Sequence, residues 1–354
     1  MKVGFLGLPG SGKATLFSAV TGRELDLSEM GKNQSRMAVV KVPDPRLPRL
    51  AEILDSAEII HPEVLFVDLA ALHPDDGGAQ NDSLTKLVGD ADALALVIQC
   101  FGELDHRAEP LDPAGDLKGL LLEMTITDLG IVERRLERID AELKSARDET
   151  SPERALLQRV AEHLGGGGLV RDLDLAEEEA RLLRGFSLLT GKPLLVVLNV
   201  ADDDLGGERC AGVIEVAERT GLDYECIAAT LEREIAAIGE EMREAFLADY
   251  GLDRPGRDRF IRACYDLLGV ITFFTGNGKE ARGWTVRGGS TVREAGGKIH
   301  SDIYEGFIRA EITPFAKLDE YESFAGCRDA GVIRLEGRDY VTTDGDYLDI
   351  RFSR

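Results

Sequence analysis

The sequence predicts an α/β fold, in which an open and mostly parallel sheet carries an inserted helical arm and is followed by a small β-rich module. Nearly continuous apolar runs, typical of strands covered on both faces, recur within the first 200 residues. Between two of these runs lie roughly 70 residues with helical periodicity, more than a crossover needs. We therefore expect three parts: residues 1–119 with 186–267, a coiled-coil arm at 120–185, and the module at 268–354.

The first strand, Lys2–Leu6, leads through a glycine-rich loop into a helix at Lys13–Thr21. Four further segments are apolar enough for strands: Met37–Val42, Val64–Asp68, Ala93–Gln99 and Pro193–Asn199. In the arm, apolar residues recur three and four apart over 120–144, and again from Pro152 to a run of four glycines at 165–168. This spacing predicts two antiparallel helices, with a third short helix at 175–183.

Apolar and polar residues alternate in five short segments after residue 268: Val270–Thr275, Trp284–Val286, Phe307–Ile312, Val332–Leu335 and Leu348–Phe352. Glycine-containing turns separate most of these segments. Residues 291–298 have the pattern of a short helix. The module is therefore expected to be a small α+β domain.

Charge and composition exclude several classes of protein. The chain has 65 acidic and 42 basic residues and a net charge of −23, so it is a poor generic binder of nucleic-acid phosphate, and any RNA contact needs a local basic patch. Its five cysteines include no Cys-x-x-Cys pair, which argues against a disulfide framework or a zinc ribbon. Because no apolar run approaches the roughly 18 residues of a membrane span, we expect a cytoplasmic protein without a membrane partner.

The segment Gly7-Leu-Pro-Gly-Ser-Gly-Lys13 fits the phosphate-binding pattern G-x-x-x-x-G-K between a strand and a helix. In such a loop, backbone N–H groups surround the phosphate oxygens, and the helix N-terminus and the lysine add positive charge. The residues expected to bind phosphate are Gly10, Ser11, Gly12, Lys13, Ala14 and Thr15. The alternative is a glycine-rich turn that binds nothing.

One position in this motif differs from the pattern. Ala14 stands where a serine or threonine hydroxyl ligates Mg²⁺, and the side chain of Thr15 points about 100° away on a helix. Asp68, at the end of an apolar strand, is placed like the acid that holds Mg²⁺ through water. We therefore expect bound phosphates with weakly held Mg²⁺, and Asp68 as an outer-shell partner of the metal.

A third motif follows the strand at 193–199. Asn199-Val-Ala-Asp202 has the form N-x-x-D, in which the carboxylate accepts hydrogen bonds from a guanine base and the asparagine braces the phosphate loop. An Asn-Asp pair is also common in ordinary turns, so this motif is informative only together with the first.

Together these segments resemble the YchF family of Obg-related P-loop NTPases, whose phosphate loop, helical insertion and C-terminal TGS domain occur in this order. The resemblance covers nearly the whole chain. Its most specific matches are Val42-Pro-Asp-Pro-Arg-Leu47, Ile271–Thr275, Ala281–Val286, His300, Gly306–Glu311, Leu335–Tyr340 and Asp344-Gly-Asp346.

This resemblance implies an ATP or GTP hydrolase that associates with ribosomes and whose β-grasp-like TGS domain contacts RNA or protein. We further expect a ribosome or RNA partner that contacts the TGS domain and the arm, and a monomeric protein. It places Leu72 where related enzymes have a catalytic glutamine, and Ala228 in a ribose-side motif. The family prefers ATP because its base motif ends in glutamate. Asp202 at that position leaves the choice between ATP and GTP open.

Three departures from the family affect Mg²⁺ or the γ-phosphate: Ala14 replaces serine, Ala71 replaces glycine, and the stretch 31–37 has no threonine. Phosphoryl transfer depends on such positioning and charge neutralisation. We therefore predict nucleotide binding with weak hydrolysis and name no catalytic residue.

Two other functions stay open. Thr15, or a carboxylate near Asp75, would restore the metal site of a competent ATPase or GTPase. Alternatively, the chain is a scaffold that binds no nucleotide. A collapsed loop that holds Lys13 against a neighbouring acid and admits no triphosphate would favour the scaffold.

Overall fold

The structure, a computed structural model, describes residues 1–23, 36–69, 88–146 and 151–353. The density of contacts divides the chain into two compact units. Unit 1 is Met1–Val39 with Leu65–Phe260, and unit 2 is Val40–Val64 with Ile261–Arg354. Unit 2 therefore combines the C-terminal module with a short segment from near the start of the chain.

Twelve strands lie in the described part of the chain: β1 (Lys2–Gly7), β2 (Arg36–Lys41), β3 (Glu58–Ile60), β4 (Glu63–Asp68), β5 (Ala93–Cys100), β6 (Leu194–Val200), β7 (Asp223–Ile227), β8 (Val270–Gly276), β9 (Glu280–Arg287), β10 (Phe307–Pro314), β11 (Arg334–Glu336) and β12 (Asp346–Phe352). The helices there are α1 (Lys13–Thr21), α2 (Arg46–Leu54), α3 (Pro113–Ala146), α4 (Pro152–Gly165), α5 (Glu177–Arg184), α6 (Ala211–Arg219), α7 (Ala229–Ala237), α8 (Glu240–Asp249), α9 (Gly256–Leu267), α10 (Val292–Ile299), α11 (Ser301–Glu305), α12 (Phe315–Tyr321) and α13 (Phe324–Asp329).

The first sheet has the strand order β2-β4-β1-β5-β6-β7, and its strands from β4 to β7 pair in parallel. Every residue of β5 and β6 is buried, as the continuous apolar runs predict. The predicted α/β fold with a mostly parallel sheet is confirmed. The sequence pattern does not predict β7, because this edge strand exposes polar residues and Tyr224.

The inserted arm consists of α3 and α4, which pack antiparallel as predicted. Arg135 on α3 makes a bidentate ion pair with Glu153, at 2.8 and 2.9 Å, and Asp140 pairs with Arg154 at 2.6 Å. Helix α3 begins seven residues before the predicted start. Asp112, just before it, accepts a hydrogen bond from the Gly115 amide at 2.9 Å and so acts as its cap.

A buried carboxylate connects the base of the arm to the loop that precedes β6. Asp128 on α3 is fully buried and accepts hydrogen bonds from the Leu189 amide (2.7 Å), the Thr190 amide (2.8 Å) and the Thr190 hydroxyl (2.6 Å). This arrangement fixes the loop to the helix, since each donor would otherwise be buried without a partner.

The second sheet has the order β11-β10-β12-β8-β9-β3, with antiparallel pairs except for β12 with β8 and β3 with β9. Helix α10 packs on one face, in a cluster with Phe273 and Leu348. Helices α2, α12 and α13 pack on the other, in a cluster with Phe274 and Tyr347. The five predicted strands and the predicted helix are confirmed within a few residues, whereas β3, α2, α12 and α13 are not predicted.

Arg46 joins two motifs from distant parts of the chain within unit 2. Its guanidinium lies 2.7 Å from Asp44 and 2.7 Å from Asp344, and 5.0 Å above the ring of Phe274. Asp344 also accepts the amide of Thr272 at 2.9 Å. The Pro-Asp-Pro-Arg and Asp-Gly-Asp motifs thus form one charged cluster.

The described residues were compared with the expectations about disulfide bonds and membrane spans. None of the five cysteines, all in described segments, is in a disulfide bond. No helix among the described residues is both long and apolar enough to cross a membrane.

Candidate functional site

The loop between β1 and α1 exposes backbone amides at the start of a helix. Gly10 and Gly12 have φ values of 82° and 77°, in the left-handed region that favours glycine. Gly12 caps α1 and supplies no side chain, so the amides of Lys13, Ala14 and Thr15 have no carbonyl partner within the helix. Together with the helix dipole, these amides form a site suited to an anion.

Asn199 and strand β5 pack closely against the loop, and one polar group of the loop has no hydrogen-bond partner among the described residues. A Cβ at Gly12 would lie 2.1 Å from Nδ2 of Asn199, and a Cβ at Gly7 would lie 2.7 Å from the Val97 carbonyl oxygen. Ser11 is 3% exposed, and its hydroxyl has no hydrogen-bond partner among the described residues. Glycines at these close approaches, free amides and a buried free hydroxyl all fit a phosphate group.

Lys13 has its ammonium group bound to an acid. Its Nζ donates hydrogen bonds to Oδ1 of Asp68 and to the carbonyl oxygen of Leu69, and both charged side chains are about one-tenth exposed. Asp68 ends β4, which lies beside β1 in the sheet, so the topology brings the two together. This ion pair is one of the two features expected of a scaffold. The other, a collapsed loop, is not seen, because the loop keeps its left-handed glycines and helix amides without a carbonyl partner within α1.

Asn199 links the phosphate loop to another helix start. Its Nδ2 donates to the Ser11 carbonyl oxygen at 3.0 Å, and its Oδ1 accepts the Ala229 amide of α7 at 3.1 Å. Asp202, a few residues after it, accepts the hydroxyl of Thr230 at 2.7 Å, and buried Ala228 directly precedes α7. Parallel strands thus bring three of the predicted base-site residues to one edge of the sheet.

The metal-binding side of the site has few oxygen ligands in the described segments. Ala14 has no side-chain oxygen, and Asp68 is engaged by Lys13. Over residues 1–23, 36–69, 88–146 and 151–353, no group of three or more His, Cys, Asp or Glu side chains could hold a metal ion. Ala71, Leu72, the loop 73–80 and most of the stretch 31–37 lie outside the described residues.

The loop after β5, which carries no recognisable motif, lies against the phosphate loop. Gln99 donates from Nε2 to the carbonyl oxygens of Phe101 and Leu104, both at 3.1 Å. A Cβ on Gly10 would lie 3.0 Å from Cβ of His106. A cavity of about 20 Å³, lined by Ser11, Gln99 and His106 among others, separates the two loops. The available signal was Gln99 itself, the one polar residue of an otherwise apolar strand.

Comparison with known proteins gives consistent matches. A family model described as "Protein of unknown function (DUF933)", named YchF-GTPase_C, matches residues 270–353. "Ribosome-binding ATPase YchF" of Escherichia coli O157:H7 is 34% identical over 360 residues, covering 99% of each chain, and that of Bacillus subtilis is 32% identical over 363 residues, covering 100% of this chain and 99% of its own.

A solved structure shows the same fold. The "Structure of the Schizosaccharomyces pombe YchF GTPase" superimposes with a TM-score of 0.83 at 24% identity, over 99% of this chain and 97% of that one. Relatives more than 30% identical over almost their full length, together with the order of motifs, lead to one conclusion. This chain belongs to the YchF family.

Proposed function

We propose that this chain is a cytoplasmic, nucleotide-dependent switch that binds ATP or GTP, hydrolyses it slowly and associates with the ribosome. The bacterial relatives are named ribosome-binding ATPases, and the fission-yeast structure is described as a GTPase. The observation that carries the proposal is the start of α1, where Gly10 and Gly12 are left-handed and the first amides, beginning with that of Lys13, have no carbonyl partner within the helix.

Triphosphate binding requires Lys13 to exchange one anion for another. Its ammonium leaves Asp68 and the Leu69 carbonyl for phosphate oxygens, so that it keeps an anionic partner throughout. The carboxylate of Asp68 is then free to hold water of a Mg²⁺ ion, which would neutralise phosphate charge. The ion pair thus competes with phosphate and does not exclude it.

We expect hydrolysis to be weak because the site would hold Mg²⁺ poorly. Ala14 offers no hydroxyl to Mg²⁺, and a metal held only through water and phosphate is positioned less firmly. Phosphoryl transfer loses more from poor charge neutralisation than binding does, because the extra charge develops in the transition state.

The test is calorimetric titration of the full chain with ATP, GTP and their diphosphates, with and without Mg²⁺, beside a turnover assay. We expect binding that changes less than about tenfold on removal of Mg²⁺. Ala14→Ser should increase both the Mg²⁺ dependence and the turnover, because it restores the missing ligand.

Thr15→Ala is the matched control, since it removes a neighbouring hydroxyl from the same helical turn. Rapid turnover that Thr15→Ala abolishes and Ala14→Ser leaves unchanged would instead support a rearranged metal site. The absence of any heat or thermal shift with every nucleotide would support the scaffold. For the ribosome, co-sedimentation should depend on nucleotide in the wild type and lose that dependence in Lys13→Ala.

A further inference from the structure

Three helices, α2, α12 and α13, pack on one face of the sheet in unit 2. A cavity lies on this same face. The floor is formed by two antiparallel strands, on which Glu311 lies opposite Asp349 and Thr313 lies opposite Tyr347. Residues two apart on a strand share a face, so these four side chains form one continuous surface. The cavity volume is about 290 Å³, at the small end of the range for ligand sites.

The walls combine apolar and polar groups. Phe324 and Arg328 lie one turn apart on α13, and Leu54 and Ile333 complete the apolar side. The ring of Tyr347 packs against Phe324 at 4.8 Å between centroids, and its hydroxyl donates to the Gly276 carbonyl oxygen at 2.7 Å. The rim beside Gly276 is thus held in place by a residue of the floor.

The polar groups of the floor are incompletely paired. Carboxylates directly opposite each other on neighbouring strands repel, yet the side chain of Glu311 has no ion pair or hydrogen bond within the described segments. Asp349 has one partner, Arg351, at 2.9 Å. Two negative charges on one surface attract a cation.

A second observation is independent of the carboxylates. Thr313 is only 2% exposed and lines the cavity, and its hydroxyl makes no hydrogen bond to any described residue. The residue is buried as a whole, and as part of the cavity lining its hydroxyl is available to a polar atom of a bound molecule. On the wall, the guanidinium of Arg328 likewise has no ion-pair partner in the described part of the chain.

We propose that this cavity binds a small organic amine with an apolar body, and most tightly a free amino acid. The ammonium group lies between Glu311 and Asp349 and donates to the Thr313 hydroxyl, the apolar body contacts Phe324 and Tyr347, and the carboxylate of an amino acid pairs with Arg328. A divalent metal fits less well, because Mg²⁺ and Ca²⁺ take six or more oxygens and gain nothing from aromatic walls.

The experiment is calorimetric titration of the full chain, without nucleotide, with four probes: 2-phenylethylamine, L-phenylalanine, 3-phenylpropionate and Nα-acetyl-lysinamide. L-phenylalanine should bind more tightly than 2-phenylethylamine. Nα-acetyl-lysinamide, which has an ammonium but no aromatic ring or free carboxylate, should bind more weakly than both, and 3-phenylpropionate, which has no ammonium, should not bind. Glu311→Gln should weaken both amines by about tenfold or more, since a charge-assisted hydrogen bond is lost. Arg328→Gln should reduce L-phenylalanine to the affinity of 2-phenylethylamine and leave the latter unchanged.

Glu305→Gln is the control, because this exposed carboxylate is on α11, away from the cavity lining. Should Glu311→Gln fail to fold, Thr313→Val keeps the side-chain shape and should still weaken amine binding. The proposal is overturned if neither amine binds the wild type, or if binding persists unchanged in Glu311→Gln and Thr313→Val. Displacement of the amine by Mg²⁺, or preferential binding of the lysine derivative that represents a protein side chain, would also overturn it.

Discussion

The ion pair between Lys13 and Asp68 makes the two halves of the candidate site depend on each other. In the proposed site, the lysine supplies the cation for the phosphates and the aspartate supplies the anion for the metal, yet each neutralises the other in the structure. Any ligand that binds only one of them must separate the pair. The response of nucleotide affinity to Mg²⁺ therefore reports on both residues.

The direction in which Asp68→Asn changes nucleotide affinity shows whether Asp68 competes with phosphate for Lys13 or only holds Lys13 in position. Without Mg²⁺, loss of the carboxylate frees Lys13, so diphosphate and triphosphate should bind more tightly, by about threefold to tenfold. With Mg²⁺ the variant should show no further gain. Calorimetry under both conditions measures this, and weaker Mg²⁺-free binding would show that Asp68 only positions Lys13.

Among the described residues, His106 contributes an imidazole beside the phosphate loop, where it lies close to Gly10 and lines a small cavity. His106→Ala should leave the dissociation constant of the nucleotide within about threefold and lower the turnover by about tenfold or more. Arg107→Ala, in the same loop, is the comparison. An equal loss of binding and turnover would assign His106 to packing of the loop.

Sequence reasoning finds the residues of the site whose role lies in backbone geometry or motif spacing. Gly10, Gly12, Lys13 and Asn199 stand at fixed positions after strand ends, and the structure brings them together. The sequence alone does not reveal His106, because no local pattern indicates that a loop about 95 residues further along packs on Gly10. Nor could it choose the partner of Lys13, which is set by the adjacency of β1 and β4.

Among the elements, the arm depends on one carboxylate at its base. Asp128→Ala would leave the Leu189 and Thr190 donors buried and unpaired, so the free energy of unfolding should fall by about 3 kcal/mol. Urea denaturation measures this loss. Glu137→Ala, at an exposed position of α3, should change stability by no more than about 0.5 kcal/mol.

The same carboxylate predicts a pH dependence. Burial raises the pKa of Asp128 above its ordinary value, and its hydrogen bonds only partly offset this. The folded protein therefore holds this proton at a pH where the unfolded chain has released it. The part of the stability that depends on this proton is complete below about pH 4, the usual aspartate pKa, and is lost as the pH rises through the raised value. Urea titrations of wild type and Asp128→Asn at several pH values should differ in slope over this interval, and parallel slopes would contradict the assignment.

Helices and strands whose apolar residues recur at regular spacing can be predicted from the sequence. Those that form only through tertiary contacts cannot. The arm helices and the buried strands β5 and β6 follow directly from apolar spacing. Strand β3 has only three residues, and it exists because β9 pairs with it. Helix α2 begins at Arg46, the last residue of the Pro-Asp-Pro-Arg motif, and the prolines just before and inside it obscure the helical pattern.

At the scale of the whole molecule, Arg46 is expected to control the stability of unit 2. Arg46→Ala would leave Asp44, which is 4% exposed, without its cation, and a broken buried pair costs about 3–5 kcal/mol. Urea unfolding followed by the fluorescence of Trp284, in unit 2, should move to lower urea than the change in far-UV circular dichroism. Arg49→Ala is the control, because its partners Asp319 and Glu322 are exposed and such pairs contribute little. Coincident transitions in Arg46→Ala would show that the units unfold together.

The division into two units has a consequence for how the chain matures during translation. Leu47 and Leu50 of α2 are buried in a cluster with Phe274, Leu318 and Tyr347, and Arg46 finds Asp344 only 298 residues later. At a synthesis rate of about 5–20 residues per second, all the residues that cover the apolar face of α2 are present only roughly 15–60 s after α2 itself. The nascent chain thus presents an unprotected hydrophobic helix for most of its synthesis, so production in the cell should respond to chaperone supply even though the finished protein is highly charged.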